Sequence, residues 1–284
     1  MASAGISADG KRSIIVTGCS SGIGAYCARA LHEGGWRVFA TARKDADIAA
    51  LKAAGIEASY MDYAEPDSIA AFAGSVLGET GGRLDALFNN GAYAQPGAVE
   101  DLPVVALRAQ FEANFFGWHD LTRRVIPVMR AQGHGRIVHC SSILGLLPMK
   151  WRGAYVASKF ALEGLMLAQR MELEGSGIHV SLIEPGPIQS HFDYNAALHA
   201  EANIDLEGSV HRDAYRARLA LLKSGGTQSK HKLGPEAVHA VLLHALEAAR
   251  PHPHYAVTRP AKLGILARRL LPARRLYRML SDQS

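Results

Sequence analysis

Short apolar segments alternate with longer amphipathic segments along this 284-residue chain, and no other feature restricts its fold as strongly. The apolar segments are nearly continuous and rich in β-branched or aromatic residues, as expected of parallel strands covered on both faces. They lie at 13–17, 36–41, 56–62, 84–89, 135–141, 179–184 and 255–258. The helical segments lie at 22–34, 45–54, 66–77, 101–132, 153–174 and 235–249. The alternation predicts an α/β fold with a doubly wound parallel sheet of about seven strands and helices on both faces.

The length and a hydrophobic content of 48% predict one Rossmann-type domain over residues 1–284. Residues 189–232 show no strand pattern and only one helical segment, at 213–223. This stretch follows the carboxyl end of a predicted strand. We therefore expect it to be an insertion that covers the substrate and the ligand crevice.

The three cysteines include no Cys-x-x-Cys pair, which favours a reducing compartment. No secretory signal is visible, and no apolar run reaches the roughly 18 residues of a membrane span. We therefore expect a cytoplasmic protein. The scattered histidines lack zinc-ligand spacing, so we expect no metal site.

The net charge of +5 lies mainly in a basic C-terminal tail at 259–284. The pattern at 262–271 predicts a basic amphipathic helix, which could rest on an anionic membrane surface or pack on its own domain or on a partner subunit. Pro272 limits the helix length and favours packing. We expect no nucleic-acid partner.

A glycine-rich turn, Thr-Gly-Cys-Ser-Ser-Gly-Ile-Gly at 17–24, joins the first predicted strand to the first predicted helix. Glycines let a backbone approach a diphosphate, which the free N–H groups and positive end of the helix then bind. The spacing differs from the common G-x-G-x-x-G fingerprint, and such turns also serve packing. The position between strand and helix nevertheless favours a dinucleotide site.

The end of the second predicted strand indicates which dinucleotide is bound. An acid that binds the ribose 2′-hydroxyl is expected there, but no acid occurs before Asp45, and Arg43 and Lys44 occupy the turn. Arginine suits a 2′-phosphate by charge and by the geometry of its donors. A solvated surface arginine is the alternative. The pattern favours NADP(H) over NAD(H).

Further motifs follow the remaining strands, and together the set resembles the short-chain dehydrogenase/reductase family in its compact form. The motifs are TGCSSGIG at 17–24, Asp62, Asn-Asn-Gly-Ala at 89–92, Asn114 in Ala-Asn-Phe-Phe-Gly, Ser142, Tyr155-x-x-x-Lys159 and Pro185-Gly186. The resemblance covers about residues 13–190 and 235–258, and it extends to the branch that contains hydroxysteroid and retinol dehydrogenases.

The resemblance implies four catalytic residues. Tyr155 would be the acid/base and Lys159 would hold the nicotinamide ribose. Ser142 would position the substrate oxygen, and Asn114 would hold a water that links the lysine to solvent. The implied cofactor contacts are Gly18, Ser20, Ser21, Gly22, Ile23, Gly24, Arg43, Asp62, Asn90, Gly91, Tyr155, Lys159, Pro185, Gly186, Ile188 and Ser190.

Physical chemistry supports the pairing of Tyr155 with Lys159, because residues four apart lie on one face of a helix. An ammonium ~4 Å from the phenolate could lower the phenol pKa by up to about 3 units before desolvation opposes it. Such a phenol can give a proton to a ketone and take one from an alcohol. The alternative is an ordinary contact on an amphipathic helix.

One position departs from the family pattern, which usually reads Asn-Asn-Ala-Gly after the fourth strand. Here Ala92 stands where the family has glycine, and Gly91 precedes it. A positive φ at Ala92 would cost on the order of 1 kcal/mol, unless Gly91 adopts the turn instead. We expect a small effect on cofactor fit.

The expected substrate is a hydrophobic secondary alcohol or its ketone, or an alcohol and aldehyde. We expect the pocket at 144–151, 93–96 and beyond Ile188, with Leu146, Leu147, Met149, Trp151, Phe192 and Tyr194 making it apolar. Two alternatives are a non-redox NADP-using epimerase or dehydratase and a catalytically silent NADP-sensing protein. The resemblance also implies a homodimer or homotetramer through the long helices at 101–132 and 153–174.

Overall fold

The computed structural model describes residues 10–225 and 231–282. Within them, seven strands form one parallel sheet in the order β3–β2–β1–β4–β5–β6–β7. The strands are β1 Ser13–Val16, β2 Arg37–Ala42, β3 Glu57–Tyr60, β4 Ala86–Asn89, β5 Gly135–Cys140, β6 Ile178–Glu184 and β7 His254–Ala256. Each predicted strand is therefore present, and the predicted doubly wound sheet is confirmed.

Helices cover both faces of the sheet, with α1 packed against α9 and α3 packed against α5. The first six are α1 Gly22–Glu33, α2 Asp45–Ala53, α3 Pro66–Glu79, α4 Val104–Phe111, α5 Gly117–Gln132 and α6 Gly153–Glu172. The others described are α7 Phe192–Asn203, α8 Arg212–Lys223, α9 Glu236–Glu247, α10 Arg259–Leu270 and α11 Ala273–Asp282.

The core lies between the sheet and these two layers of helices. In β1, Ile14, Ile15 and Val16 are wholly buried, as a central strand covered on both faces requires. Full burial of each such side chain contributes about 1.5–3 kcal/mol. The sheet is therefore a rigid support for the loops at its carboxyl edge.

The helix predicted at 101–132 is not continuous. A short 3₁₀ turn at Val99–Asp101 precedes α4, and a π-helical turn at Glu112–Phe116 joins α4 to α5. Apolar periodicity does not distinguish one widened turn from an α-helix, so the pattern could not indicate it. Single π-helical turns are frequent at functional sites, and this one carries Asn114.

The stretch between β6 and α9 contains α8, close to its predicted position, and α7, which sequence analysis missed. The buried residues of α7 are Ala196, Ala197 and Ala200. Alanines give a weak apolar pattern, which explains the omission. Residues 226–230 of the predicted insertion lie outside the described part of the chain.

The basic tail folds into α10 and α11, separated at Pro272. Thr258 begins α10 by accepting a hydrogen bond from the N–H of Ala261 (3.3 Å). A Cβ built on Gly264 would lie 2.7 Å from Leu147 Cδ1, and the Lys150 Nζ donates to the Ser281 carbonyl (2.9 Å). Both helices thus contact their own domain. Among the described helices, none is long and apolar enough to cross a membrane.

Candidate active site

The site lies where the order of the strands reverses. β1 and β4 are neighbours, but their outgoing connections lead to opposite halves of the sheet, which opens a crevice at the carboxyl ends of the two strands. The glycine turn follows β1, and the motif at 89–92 begins at the last residue of β4. The fold therefore brings together two motifs that are about 70 residues apart in sequence.

The two turns pack backbone against backbone. Gly18 has a φ of +68°, and a Cβ built on it would lie 2.4 Å from the Gly91 Cα. A Cβ on Gly24 would lie 2.2 Å from the Gly18 carbonyl oxygen. Only glycine fits at these two positions.

The amino end of α1 is left open to an anion. Its N-cap residue, Ser21, makes no capping hydrogen bond through its side chain, and the first turn carries no acidic residue. The first N–H groups of a helix have no acceptors within the helix. The turn can therefore bind a phosphate group through backbone donors and the positive helix end.

Hydrogen bonds hold the two turns together. Thr17 Oγ1 accepts from the N–H groups of Asn90 (2.8 Å) and Gly91 (3.2 Å), and Asn90 Nδ2 donates to the Thr17 carbonyl (3.1 Å). The buried Tyr63 hydroxyl donates to Asn89 Oδ1 (2.6 Å). Sequence analysis missed Tyr63; the only signal was its place directly after Asp62.

The exchanged order of glycine and alanine at 91–92, relative to the family pattern, causes no backbone strain. Among the described non-glycine residues, only Trp151 has a positive φ, so Ala92 is unstrained, and Gly91 does not adopt a left-handed turn. Gly91 instead permits close approach, because a Cβ there would lie 3.2 Å from Tyr63 Cε2 and 3.3 Å from the Gly18 Cα.

Arg43 and Asp62 follow neighbouring strands and face each other at the crevice. The Arg43 Nη1 lies 3.4 Å from Asp62 Oδ2, and 67% of the arginine side chain is exposed. The other carboxylate oxygen accepts the N–H of Ala64 (3.0 Å). The charge of Arg43 also lowers the pKa of His199, after the larger effect of burial. Arg43 is thus available to an anionic ligand.

The turn after β6 closes the opposite side of the crevice. The Pro185 carbonyl accepts the N–H of Ile143 (3.0 Å), which joins this turn to the loop after β5. A Cβ on Gly186 would lie 2.1 Å from Thr258 Oγ1, so the start of the tail packs directly on the turn.

The remaining predicted cofactor contacts lie within the glycine turn or in the segment after β6. Ile188 packs on the core and pairs with Leu233. A Cβ built on Gly22 would lie 3.1 Å from Ser190 Cβ, so Ser190 closely approaches the turn. Ser20 is exposed, and Ile23 is partly buried against the core.

Tyr155 lies in a small apolar pocket near the start of α6. Its ring centroid is 5.4 Å from that of Phe192, and it clusters with Ala94, Ala196 and Leu144. Only 7% of Tyr155 is exposed. The pocket therefore excludes most water from the phenol.

The predicted lowering of the Tyr155 pKa is wrong for the structure as it stands. Burial raises the pKa above its usual value of 10, and a hydrogen bond with Ser142 lowers it by less. The Ser142 hydroxyl also accepts the N–H of Leu144 (3.0 Å). Desolvation of the phenolate outweighs the favourable interactions.

Lys159 is buried behind Tyr155. Its Nζ donates to the Cys140 carbonyl (2.9 Å) and lies 5.7 Å from the Tyr155 ring centroid. The ammonium also lies 4.1 Å from the centre of the Trp118 ring, a favourable cation–π arrangement. Burial lowers the pKa of Lys159 to about 8, so it can lose a proton near neutral pH.

Trp118 connects the lysine to the cofactor turn and was missed by sequence analysis. Its Nε1 donates to the Gly91 carbonyl (2.8 Å), while its ring lies beside Lys159. The tryptophan occurs four residues after Asn114, which is the only signal that could have indicated it.

The side-chain amide of Asn114 makes two hydrogen bonds to the backbone of Tyr93. The Oδ1 accepts the Tyr93 N–H (3.2 Å), and the Nδ2 donates to the Tyr93 carbonyl (2.9 Å). These bonds position the loop after β4. The water-holding role of Asn114 remains a prediction.

Two of the residues expected in the substrate pocket pack against later helices. Leu147 contacts α10, and Trp151 packs on α8, with its ring centroid 5.4 Å from that of Tyr215. Both were expected in the pocket because apolar side chains commonly line ligand pockets. Leu144 and Phe192 do lie beside Tyr155.

A doubly wound sheet with a glycine turn at its switch point and a Tyr-x-x-x-Lys helix beside it defines a class of dinucleotide-dependent oxidoreductases. Residues 12–200 match the family model described as short chain dehydrogenase, and the chain belongs to the short-chain dehydrogenase/reductase family.

Individual relatives agree with this membership. The chain is 37% identical over 270 residues to the uncharacterized oxidoreductase YbbO of Escherichia coli K12, with 95% of this chain and 94% of the relative covered. A short-chain dehydrogenase from Streptomyces avermitilis is 30% identical, with a TM-score of 0.75 and coverage of 90% and 93%. A single-residue variant of actinorhodin polyketide ketoreductase with NADPH is 27% identical, with a TM-score of 0.71 and coverage of 89% and 97%.

Proposed function

We propose that the protein is an NADP(H)-dependent oxidoreductase that interconverts a hydrophobic secondary alcohol and its ketone, or an alcohol and its aldehyde. The proposal depends on one observation. The buried Tyr155 side chain lies in an apolar pocket, where its hydroxyl forms a hydrogen bond with Ser142 and the Lys159 Nζ lies 5.7 Å from its ring centroid. The amino end of α1, which has no side-chain cap and no acidic residue in its first turn, supports a dinucleotide beside it.

In this proposal the bound nicotinamide supplies or accepts the hydride, and the chain manages the proton. Ser142 donates a hydrogen bond to the substrate oxygen, on which negative charge develops. Tyr155 transfers its proton to that oxygen. The burial that raises the tyrosine pKa also strengthens the attraction between its phenolate and the Lys159 ammonium, so the ion pair forms as the proton leaves.

Preference for NADP(H) rests on Arg43. Arg43 is exposed directly after β2. The acid that would bind a ribose 2′-hydroxyl is expected at this strand end, but no acid occurs before Asp45. A 2′-phosphate would compete with Asp62 for the guanidinium.

The apolar surroundings of Tyr155 support a hydrophobic substrate. Phe192 and Ala196 of α7, with Leu144 and Ala94, form the pocket wall. Within this proposal, the insertion that contains α7 and α8 covers the substrate. We also keep the cytoplasm as the proposed location, because Cys19, Cys27 and Cys140 are free thiols.

Exposed apolar side chains on α4 and α6 support the proposed homo-oligomer. Val104 and Val105 of α4 are 60% and 73% exposed, and Met171 of α6 is 71% exposed. Large exposed apolar side chains can mark a protein interface. A second copy of the chain is the partner that we propose for them.

The test is NADPH oxidation against a panel of ketones and aldehydes that ranges from small and polar to large and apolar. We expect turnover that increases with apolar surface, with NADPH preferred to NADH. An epimerase or dehydratase would change a substrate without net consumption of NADPH. A sensing protein would bind NADPH and turn over no substrate.

A further inference from the structure

The helix α10, in the C-terminal tail, packs on its own domain through one face. Ala261 is wholly buried, and a Cβ built on Gly264 would lie 2.7 Å from Leu147 Cδ1. These contacts set α10 on the segment that contains the 3₁₀ turn at Ile143–Gly145. The domain therefore fixes which face of α10 points inward and which points outward.

Large apolar side chains line the outward face of α10. Leu263, Leu266 and Leu270 are 65%, 51% and 71% exposed. Because they are three and four residues apart, they form one row along the helix. Most of the surface of these leucines is outside the core of the domain. An exposed apolar row of this kind can mark an interaction surface.

Cations flank the row of leucines. Arg259, Lys262 and Arg269 are exposed, and each lies three or four residues from a leucine of the row. None of the three forms an ion pair with another described residue of the chain. We call these three cations and the three leucines the leucine face of α10. Its basic side chains are available to an anionic partner.

The charge of the tail decides between the partners that such a face could bind. Residues 259–282 contain seven basic residues and one acidic residue, Asp282. A second copy of the chain that docked through the same face would bring like charges together. The surface of an anionic bilayer attracts cations and accepts apolar side chains at the boundary of its acyl chains. The leucine face is therefore complementary to such a membrane surface.

Neither the length of α10 nor Pro272 opposes binding to a membrane surface. A helix that lies in the plane of the interface needs one apolar face, and not the roughly 20 residues of a membrane span. The leucine face is contained in the 12 residues of Arg259–Leu270, which end before the proline. Packing on the domain uses the opposite face, so α10 can do both at once.

We propose that the leucine face of α10 docks on the surface of an anionic lipid bilayer. The leucines enter the boundary between headgroups and acyl chains, and the flanking cations contact lipid phosphates. The docking itself does not depend on the proposed function. It suits an apolar substrate, because such a substrate dissolves in the same bilayer. The turn beneath α10 also carries Leu144, which lies beside Tyr155 in the proposed pocket.

Co-sedimentation of the full chain with vesicles tests the docking. Vesicles of phosphatidylcholine with phosphatidylglycerol should bind the chain at about 0.1 M salt, and vesicles of phosphatidylcholine alone should bind it at least about tenfold more weakly. Salt at about 1 M, which shortens the screening length to about 3 Å, should release much of the bound chain. Equal binding to the two kinds of vesicle, or binding to neither, would overturn the proposal.

Two variants test the leucine face directly. Leu266→Asn should weaken binding to the anionic vesicles about tenfold, and Lys262→Ala should weaken it about fivefold. Both side chains are exposed, so the far-ultraviolet circular dichroism should match that of the wild type. The controls are Leu221→Asn, at a leucine of α8 that is 43% exposed, and Arg29→Ala, at an exposed cation of α1. Neither control should change the affinity. Wild-type affinity in both test variants, or equal losses in the controls, would refute the docking.

Light scattering without vesicles distinguishes a membrane from a second copy of the chain. The wild type and Leu266→Asn should have the same molecular mass in solution. A lower mass in Leu266→Asn would mean that the leucine face binds another copy, and it would overturn the membrane assignment. The proposed function fails separately. A wild type that sediments with anionic vesicles but reduces no ketone would refute that function and leave the docking in place.

Discussion

Arg43 is the single residue on which the proposed cofactor preference depends. We predict that Arg43→Ala weakens NADPH binding by about tenfold, which corresponds to roughly 1.4 kcal/mol, and leaves NADH binding nearly unchanged. The reason is that only NADPH has a 2′-phosphate for the guanidinium. Fluorescence titration of both cofactors measures the effect.

The control for Arg43 is Lys52→Ala, which removes an exposed cation from the last turn of α2. It should leave the affinity for both cofactors unchanged. Equal preference for NADH in the wild type and in Arg43→Ala would contradict the assignment, and the arginine would then be an ordinary surface cation.

Sequence motifs identified the polar residues of the site better than their supporting residues. Tyr155 and Lys159 were predicted from spacing and family resemblance, whereas Trp118 was missed although it lies beside Lys159 and binds Gly91. A tryptophan on an amphipathic helix looks like any core residue. The predicted direction of the Tyr155 pKa shift was also wrong. The burial of the phenol that raises this pKa depends on packing by α7, a helix that the sequence pattern did not show.

Among the elements, the turn after β1 has the strictest steric requirement. We predict that Gly18→Ala lowers the free energy of unfolding by about 2–3 kcal/mol or more, because it combines a positive φ with a clash against Gly91. Cofactor binding should be lost as well. Urea unfolding and fluorescence titration measure the two effects.

Gly133→Ala is the matched control for the turn. Gly133 has a φ of +73°, close to that of Gly18, but a Cβ there would meet no atom within 4 Å. The substitution should therefore cost only the backbone strain, about 1–2 kcal/mol, with cofactor binding retained. Equal effects in the two variants would show that close packing of the turn is unimportant.

The buried carboxyl of Glu163 on α6 gives the stability of the protein a predicted pH dependence. The pKa of Glu163 is raised in the folded state, so the folded protein binds more protons than the unfolded chain between the ordinary glutamate pKa and about 7. Its contribution to stability is thus present at acidic pH and is lost as pH rises through about 7. Urea unfolding across this window should show a steeper decline in wild type than in Glu163→Gln.

At the scale of the molecule, strand order and helix layers followed from the sequence, but the interruptions of that pattern did not. Periodicity reports which face of an element is buried, and it predicted all seven strands. It cannot report the π-helical turn at Glu112–Phe116, which changes hydrogen bonding without changing the apolar face. It also missed α7, because alanines carry little apolar contrast.

Self-association is the property that the exposed faces of α4 and α6 predict. Val105→Asp should shift the molecular mass in solution toward the monomer, because it places a charge in the proposed apolar interface. The control is Val210→Asp, at a similarly exposed valine between α7 and α8. Light scattering after gel filtration measures both. A monomeric wild type would refute the proposed oligomer.

The central claim is that the Tyr155 hydroxyl supplies the proton that accompanies hydride transfer. Tyr155→Phe keeps the ring in its apolar pocket and removes only the hydroxyl that carries that proton. The decisive measurement is its rate of NADPH-dependent ketone reduction together with its NADPH affinity. We predict a rate at least about 10³-fold lower than that of the wild type, with the affinity within about twofold. Wild-type turnover in Tyr155→Phe would contradict the claim.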